Sequence, residues 1–446
     1  MRMITDTIVA IITALQESAI NVLRISGVDA INIVNQIFSR DLEHVDSHTV
    51  HYGHIIDPVN KQVVDEVLVS VFRAPRTYTR EDVVEISCHG GVLVTKKVLS
   101  LCLSVGARMA EPGEYTQRAF LNGRIDLSQA ESVMELIQAP NEFAQELAIS
   151  GVQGNVRKLI EPFLERLIQM IANIEVNIDY PEYDDVEVLT EAVILPEAKR
   201  FLEDLGKILK ESQSGRIMKE GVKTVILGKP NVGKSSILNV LLEEDKAIVT
   251  EIAGTTRDLV EGWIRLENVA LHLIDTAGLR DTGDRIEQIG IEKSRKALES
   301  AELVIVVFDA SRARDQEDID LLEATKHKER IIVYNKKDLV NREPDGLYVS
   351  ALEGDVHELV DEINKRYVEH TKALTKPTLS NERHIAQVQK SYLAMQRALE
   401  ALEFGMELDL VTIDLNESYV ELASIIKPKK DINVLDEIFA RFCLGK

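Results

Sequence analysis

The 446 residues carry 52 lysines and arginines against 74 aspartates and glutamates, and a formal net charge of −22 argues against a protein that wraps nucleic acid over its whole surface, although a local basic patch is still open to it. With 45% hydrophobic and 28% charged residues the composition excludes global disorder, and the length exceeds one compact core, so about three domains are expected. Cys88, Cys102 and Cys443 lack metal-type spacing and leave an odd number for pairing, while no apolar leader and no run of about 18 apolar residues occurs, so the expectation is a cytoplasmic chain without disulfides or membrane spans.

In chain order, Asp65–Phe72 and Asp82–Cys88 alternate as half-buried strands do, with the Ala74-Pro75 turn between them, and a helix is expected from Gly91 to about Val105. Residues 1–118 therefore read as a small α+β domain. From Leu127 the apolar period becomes helical, Ser128 and Glu131 have capping-box spacing, and helical patterns continue to about Ser214. They are interrupted at Asp179–Asp185, where Pro181 and an acidic run mark a solvated loop in preference to a metal site. Residues 119–218 are assigned to the first part of a helical domain and 375–446 to its second part. Between them, in 219–374, the strands Val222–Leu227, Val269–Ile274, Leu303–Phe308, Ile331–Tyr334 and Leu347–Val349 alternate with helical segments, the pattern of a parallel sheet with crossover helices. The fold class is multi-domain α/β, with a nucleotide domain inserted into the helical one.

Gly228-Lys-Pro-Asn-Val-Gly-Lys-Ser235 lies between a strand and an apolar helix, the context of a phosphate-binding loop. Asn231, Val232, Gly233, Lys234, Ser235 and Ser236 are its candidate nucleotide contacts. Lys234 neutralises outer phosphates and the Ser235 hydroxyl is offered to magnesium. The segment Gly254-Thr-Thr-Arg-Asp258 falls where a switch loop belongs, Thr256 is its expected magnesium ligand, and Thr250, Glu251, Ile252 and Ala253 before it are further candidate nucleotide contacts. Asp275-Thr-Ala-Gly278 ends a strand, with Thr276 and Ala277 between the carboxylate that holds magnesium through water and the glycine that lets the chain approach the terminal phosphate. Asn335-Lys-Lys-Asp338 supplies Asn335, Lys336 and Asp338. An aspartate there accepts from the N1 and N2 donors of guanine, a pair adenine lacks, and Ser350-Ala351 adds a backbone amide for the guanine oxygen. The motifs imply binding of GTP and GDP, and hydrolysis of GTP. Leu279 stands where Ras-like proteins carry the glutamine that orients the attacking water, so the carboxylates of Arg280–Glu287 are candidates for that role. Arg257 and Arg280 lie within the switch segments, and a monovalent cation is an alternative source of positive charge beside the β- and γ-phosphates.

Together with Glu111-Pro-Gly-Glu-Tyr-Thr-Gln-Arg-Ala-Phe-Leu-Asn-Gly123, Asp126-Leu-Ser-Gln-Ala-Glu131 and the terminal Phe442-Cys-Leu-Gly-Lys446, these motifs resemble the bacterial tRNA-modification GTPase family MnmE, also called TrmE, over essentially the whole chain. The resemblance implies a Ras-like P-loop GTPase domain, a central helical domain and a folate-binding-like N-terminal domain. It further implies a homodimer joined through the N-terminal domains, working with the flavin protein MnmG in a heterotetramer to modify the wobble uridine of certain tRNAs. By the same resemblance a potassium ion replaces an arginine finger, held by Asn231, Thr250, Ile252 and Thr255. Glu287 positions the catalytic water through a bridging water, with Lys234 and Arg280 completing the catalytic set. Arg24, Glu85, Arg124 and Lys446 match the positions that hold a tetrahydrofolate derivative, in its 5-formyl or 5,10-methylene form, although by their residues alone Arg24 and Glu85 are polar positions in strand patterns. Cys443 matches a cysteine implied in modification, while the helical spacing of Val434, Leu435, Ile438, Phe439 and Phe442 equally suits a packed thiol. The stretch Ser424–Lys430 departs from the Glu-Ile-Thr-Gly turn usual before the last helix. The rival reading is a regulatory GTP-binding switch or ribosome-assembly factor, which folate binding by the N-terminal domain would separate from the modification enzyme.

Overall fold

The computed structural model describes residues 6–179, 190–243, 262–274, 298–340, 346–371, 378–427, 438–440, 442 and 445. They fall into two compact units, one of Met1–Met134 with Ala423–Lys446 and one of Glu135–Leu422.

The first unit is built on strands β1 (Ile8–Ile11), β2 (Ile20–Ser26), β3 (Thr49–Ile56), β4 (Val63–Phe72), β5 (Val83–His89) and β6 (Arg108–Met109), in the order β3-β4-β5-β2-β1-β6. Side chains alternate across a pleated strand, so Val67, Val69 and Val71 of β4 share a buried face with Leu23, Ile25, Val84 and Ile86. Helices Ala30–Asn35 and Val92–Ser104 contribute to that core. The opposite face carries Arg24 of β2 directly across from Glu85 of β5. The expected helix begins after Gly91, which serves as its cap, as the sequence indicates. The expected capping box does not form as read. Helix Leu127–Gln138 starts one residue before Ser128, and the box is made by Asp126, whose Oδ1 accepts from Gln129 N (2.9 Å), with Gln129 Oε1 accepting from Asp126 N (3.0 Å). The Ser128 hydroxyl donates to the Asp126 carboxylate (2.7 Å), because an ionised carboxylate is the stronger acceptor for the helix start.

The second unit contains β7 (Val222–Leu227), β8 (Gly262–Arg265), β9 (Ala270–Leu273), β10 (Leu303–Asp309), β11 (Glu329–Asn335) and β12 (Leu347–Tyr348), in the order β12-β11-β10-β7-β9-β8. Five strands are parallel, but β8 runs antiparallel to β9, so the sheet is mixed where the sequence pattern suggests a purely parallel one. The central strand β10 buries Leu303, Ile305 and Val307 on one face and Val304, Val306 and Phe308 on the other, as a sheet covered by helices on both faces requires.

Before and after these strands in the sequence the chain is helical over Glu142–Val152, Asn155–Asp179, Leu195–Glu220, Glu382–Glu403 and Leu408–Ile426. Helix Leu195–Glu220 continues past the expected end at Ser214. Gly215 is not a terminator there but a close-approach position, since a Cβ on it would lie 2.7 Å from the Leu379 carbonyl oxygen. The chain leaves the helices near Lys219 and returns near Asn381, and both side chains converge on Glu135 Oε1, at 2.7 Å each. Ser424–Ile426 complete the last turn of Leu408–Ile426. The acidic stretch after Asp179 lies outside the described residues. Among the described residues no helix is long and apolar enough to cross a membrane.

Candidate functional site

The phosphate loop leaves β7 and closes on helix Lys234–Glu243, whose N-terminal backbone amides favour an anion. Asn231 and Gly233 adopt left-handed backbone, φ 62° and 95°. A Cβ on Gly233 would fall 2.0 Å from Asn335 Nδ2, and one on Gly228 would fall 2.4 Å from the Val307 carbonyl oxygen, so the loop packs against β10 and β11 only with glycine at both positions. Lys234 Nζ donates to the carbonyl oxygens of Gly228 (2.8 Å) and Lys229 (2.7 Å), and burial pushes its ammonium below the ordinary lysine range. A desolvated cation held by neutral carbonyls fits an arriving phosphate, which would relieve the desolvation. Ser235 and Ser236 are exposed at the start of the helix. Gly233→Ala is expected to displace Asn335 and lower kcat/KM for GTP on the order of 100-fold, read by steady-state turnover; a change within twofold would contradict the packing argument.

Asn335 joins this loop to the base end of the site. The side chain, 3% exposed, donates from Nδ2 to Val232 O (2.9 Å) and accepts at Oδ1 from Ala351 N (3.0 Å). Three sequence motifs therefore meet on one amide. Ser350 Oγ donates to Asp338 Oδ1 (2.8 Å), which orients an exposed carboxylate and leaves Oδ2 without a partner among the described residues. Lys336, also left-handed (φ 69°), donates from Nζ to Asp309 Oδ2 (2.6 Å) at the end of β10. Burial opposes ionisation of Asp309, but the bonds from Lys336 and Ser311 outweigh it and hold the carboxyl below the usual aspartate range. Lys229 is paired with Asp315, Glu317 and Asp318 at the start of helix Gln316–Ala324, which ties the outer limb of the phosphate loop to that helix. Neither Asp309 nor this tether is distinguishable in the sequence from ordinary loop charges.

Thr250, Glu251, Ile252, Ala253, Gly254, Thr255, Thr256, Asp275, Thr276, Ala277, Gly278, Arg280, Glu287, Cys443 and Lys446 lie outside the described residues. Strand β9, parallel to β7, ends at Leu273, shortly before Asp275 in the sequence. Cys88 and Cys102 are buried core thiols, and burial raises the pKa of both, which disfavours the reactive thiolate.

A second cavity, of about 540 Å³, opens on the N-terminal sheet and brings together Arg24, Glu85 and Arg124. Its volume is in the range of small-molecule sites, roughly 300–1,000 Å³. Arg24 Nε donates to Glu85 Oε1 (2.8 Å), and Arg24 Nη1 donates to the Gly445 carbonyl oxygen (3.4 Å), which brings the residue before Lys446 to the cavity. The Arg124 guanidinium lies 4.9 Å from the centre of the Tyr78 ring. Arg76 and Arg80 also line the wall, so arginines outnumber the one carboxylate and the cavity fits an anionic ligand with an aromatic part.

The role of Glu111–Gly123 is structural support for this cavity, which the motif alone does not reveal. Tyr115 donates its hydroxyl to the Arg24 carbonyl (2.6 Å), the Tyr78 and Thr116 hydroxyls bond (3.0 Å), and Asn122 Nδ2 donates to Thr79 O (2.6 Å). Arg118, 1% exposed, pairs with Asp6 (2.9 Å), Glu81 (3.1 Å) and Glu114 (2.9 Å), and Arg108 pairs with the same Asp6 and Glu114. Gly113 (φ 72°) is fixed by the tail, since a Cβ would sit 2.4 Å from the Phe439 carbonyl oxygen. Phe439 and Phe442 are buried with Ala130 and Met134.

Residues 7–124 match the family model of the GTP-binding protein TrmE N-terminus, and residues 127–443 match that of the MnmE helical domain. Among curated relatives, the tRNA modification GTPase MnmE of Streptococcus thermophilus (strain CNRZ 1066) is 46% identical over 451 residues, covering 99% of this chain and 98% of its own. That of Enterococcus faecalis (strain ATCC 700802 / V583) is 45% identical over 457 residues, with 99% and 98% covered. That of Bacillus mycoides (strain KBAB4) is 46% identical over 456 residues, with 99% of both chains covered.

Proposed function

Because the chain belongs to the MnmE family of tRNA modification GTPases and is thus a GTP hydrolase acting in tRNA modification, we propose that it works as a potassium-dependent homodimer. With the flavin protein MnmG it drives carboxymethylaminomethyl or aminomethyl modification at C5 of the tRNA wobble uridine in the cytoplasm. The domains are 1–118, 119–218, 219–374 and 375–446, the second and fourth forming one helical domain. The observation that supports the reading is the Asn335 joint, which ties the phosphate loop to the loop that follows β12.

At that site Lys234 exchanges two carbonyl oxygens for the outer phosphates, and Asp338 reads guanine through its two carboxylate oxygens, one of them oriented by Ser350. Ser235 and Thr256 would hold magnesium, with Asp275 in support; Asn231, Thr250, Ile252 and Thr255 would hold potassium. These cations supply positive charge where the transferred phosphoryl group needs it. Asn231 suits this role because it is exposed within the phosphate loop. Glu287 orders the attacking water through a second water, and Arg280 acts from the second switch. Arg24, Glu85, Arg124 and Lys446 hold a tetrahydrofolate derivative as one-carbon donor, for which the arginine-rich cavity is the support, and Cys443 acts in modification and not in hydrolysis.

GTP turnover in potassium and in sodium at equal ionic strength tests the cation assignment. Potassium is expected to raise kcat on the order of 100-fold, the lower end of the scale of one oriented electrostatic contact in a transition state. Equal slow rates would leave a GTPase and remove the cation.

A further inference from the structure

Trp263, the chain's single tryptophan, sits on the edge strand β8, the strand that follows the Gly254-Thr-Thr-Arg-Asp258 segment in the sequence. An indole on an edge strand is ordinarily exposed, yet this one is 8% exposed. Its ring stacks on His272 of β9, with centroids 4.4 Å apart and planes 4° from parallel, and it packs with Phe143, Leu147 and Met218 from helices Glu142–Val152 and Leu195–Glu220. Gly221 leaves room for it, since a Cβ there would fall 2.5 Å from the indole. Two residues along β8, Arg265 pairs with Glu142 and places its guanidinium 5.1 Å from the centre of the Phe143 ring. The receiving helix is itself anchored at that end. Asn141 caps it by accepting from Ala144 N (2.8 Å) and donates from Nδ2 to Lys219 O (3.1 Å), where the chain leaves the helices for the nucleotide sheet.

We propose that the seat of Trp263 and Arg265 on Glu142 and Phe143 is the joint through which the nucleotide state of the GTP site reaches the helical part of the chain, making Trp263 and Arg265 positioning residues for tRNA modification. The inference rests on the reading of Gly254–Asp258 as the nucleotide-responsive segment. An edge strand is held by one neighbour only, so its displacement disturbs fewer sheet hydrogen bonds than that of a central strand. An aromatic packed contact with an ion pair beside it changes between discrete arrangements more readily than it deforms continuously. The pair is partly exposed and contributes little to folding, so Arg265→Glu leaves the protein folded.

The test uses the full-length protein in two arms. In the first, a non-hydrolysable GTP analogue is titrated while Trp263 emission is followed, with binding established separately by calorimetry. The wild type is expected to shift its emission on binding, Arg265→Glu to bind without the shift, and the charge swap Glu142→Arg with Arg265→Glu to recover it. In the second, Arg265→Glu is expected to keep GTP turnover within about twofold while lowering the modified wobble-uridine fraction at least about fivefold, with recovery in the swap. Emission indifferent to bound nucleotide, or full modification by Arg265→Glu, overturns the joint. The emission arm does not depend on tRNA, so its failure is distinct from finding that the chain is dispensable for modification, which would overturn the modification reading and the joint's role in it.

Discussion

Asp338→Asn is expected to lower the preference for GTP over xanthosine triphosphate by about 10³-fold or more, the scale on which a site built for specific hydrogen bonds rejects a ligand that leaves them unmade. Ser350 holds one carboxylate oxygen of Asp338 and so fixes the direction of the other. If Asp338 reads the base, two acceptors for the N1 and N2 donors of guanine become one acceptor and one donor in the amide. The new donor opposes the guanine amino group and suits the carbonyl that xanthine has in its place. The buried Asn335 amide is untouched by the substitution, so the phosphate loop keeps its seat and total affinity for the better-matched nucleotide survives. Competition binding with the two triphosphates measures the ratio, and unchanged guanine preference would refute the base-reading role.

Arg118→Met is expected to destabilise the N-terminal unit by about 3 kcal/mol, the lower end of the cost of removing one partner of a buried pair, because Asp6 and Glu114 keep Arg108 but share one cation where they had two. Glu114 is buried like the arginine it faces, and the methionine keeps much of the volume, so the effect reads charge more than packing. Burial alone would raise the Glu114 pKa, but its bonds from Arg108, Glu111 N and Arg118 hold it below the ordinary glutamate range; Asp6 is lowered too, chiefly by its bond from Arg108. Carboxyls depressed in the folded state contribute stability that is complete above their unfolded values, about pH 4.5 for Glu114, and lost as pH falls through the folded ones. The wild type therefore loses stability on acidification, and Arg118→Met should show a shallower acid limb as well as a lower plateau. Urea denaturation between pH 3 and 7 reads both, and a loss under about 1 kcal/mol at neutral pH would contradict the account.

The phosphate and base motifs were legible in the sequence because their chemistry acts through backbone and is bound to short contiguous runs. Gly228–Ser235 and Asn335–Asp338 needed no knowledge of distant contacts. The central strand was equally plain, since Leu303–Asp309 is nearly unbroken apolar sequence of strand length. Strand β8 was not, because four residues opening on Gly262 carry too little alternation, and its pairing with β9 is set by the turn between them. The apolar and polar faces near Ser214 gave no sign that Gly215 continues the helix, since only its contact with Leu379 explains it. The Arg24–Glu85 pair depends on a register between strands 61 residues apart, which no local spacing encodes. Arg118 was hidden for a related reason, since a charge on a short helix reads as solvated until Asp6, Glu81 and Glu114 are found around it.

The central claim is that GTP hydrolysis at this site drives wobble-uridine modification. The most direct measurement is the fraction of modified wobble uridine in tRNA from cells lacking the chain, complemented with the wild type or with Glu287→Ala. The account predicts loss of the modification in the deletion strain, recovery with the wild type, and no recovery with Glu287→Ala although that variant binds GTP. Modification that persists in the deletion strain, or is restored by a variant unable to hydrolyse GTP, would contradict it.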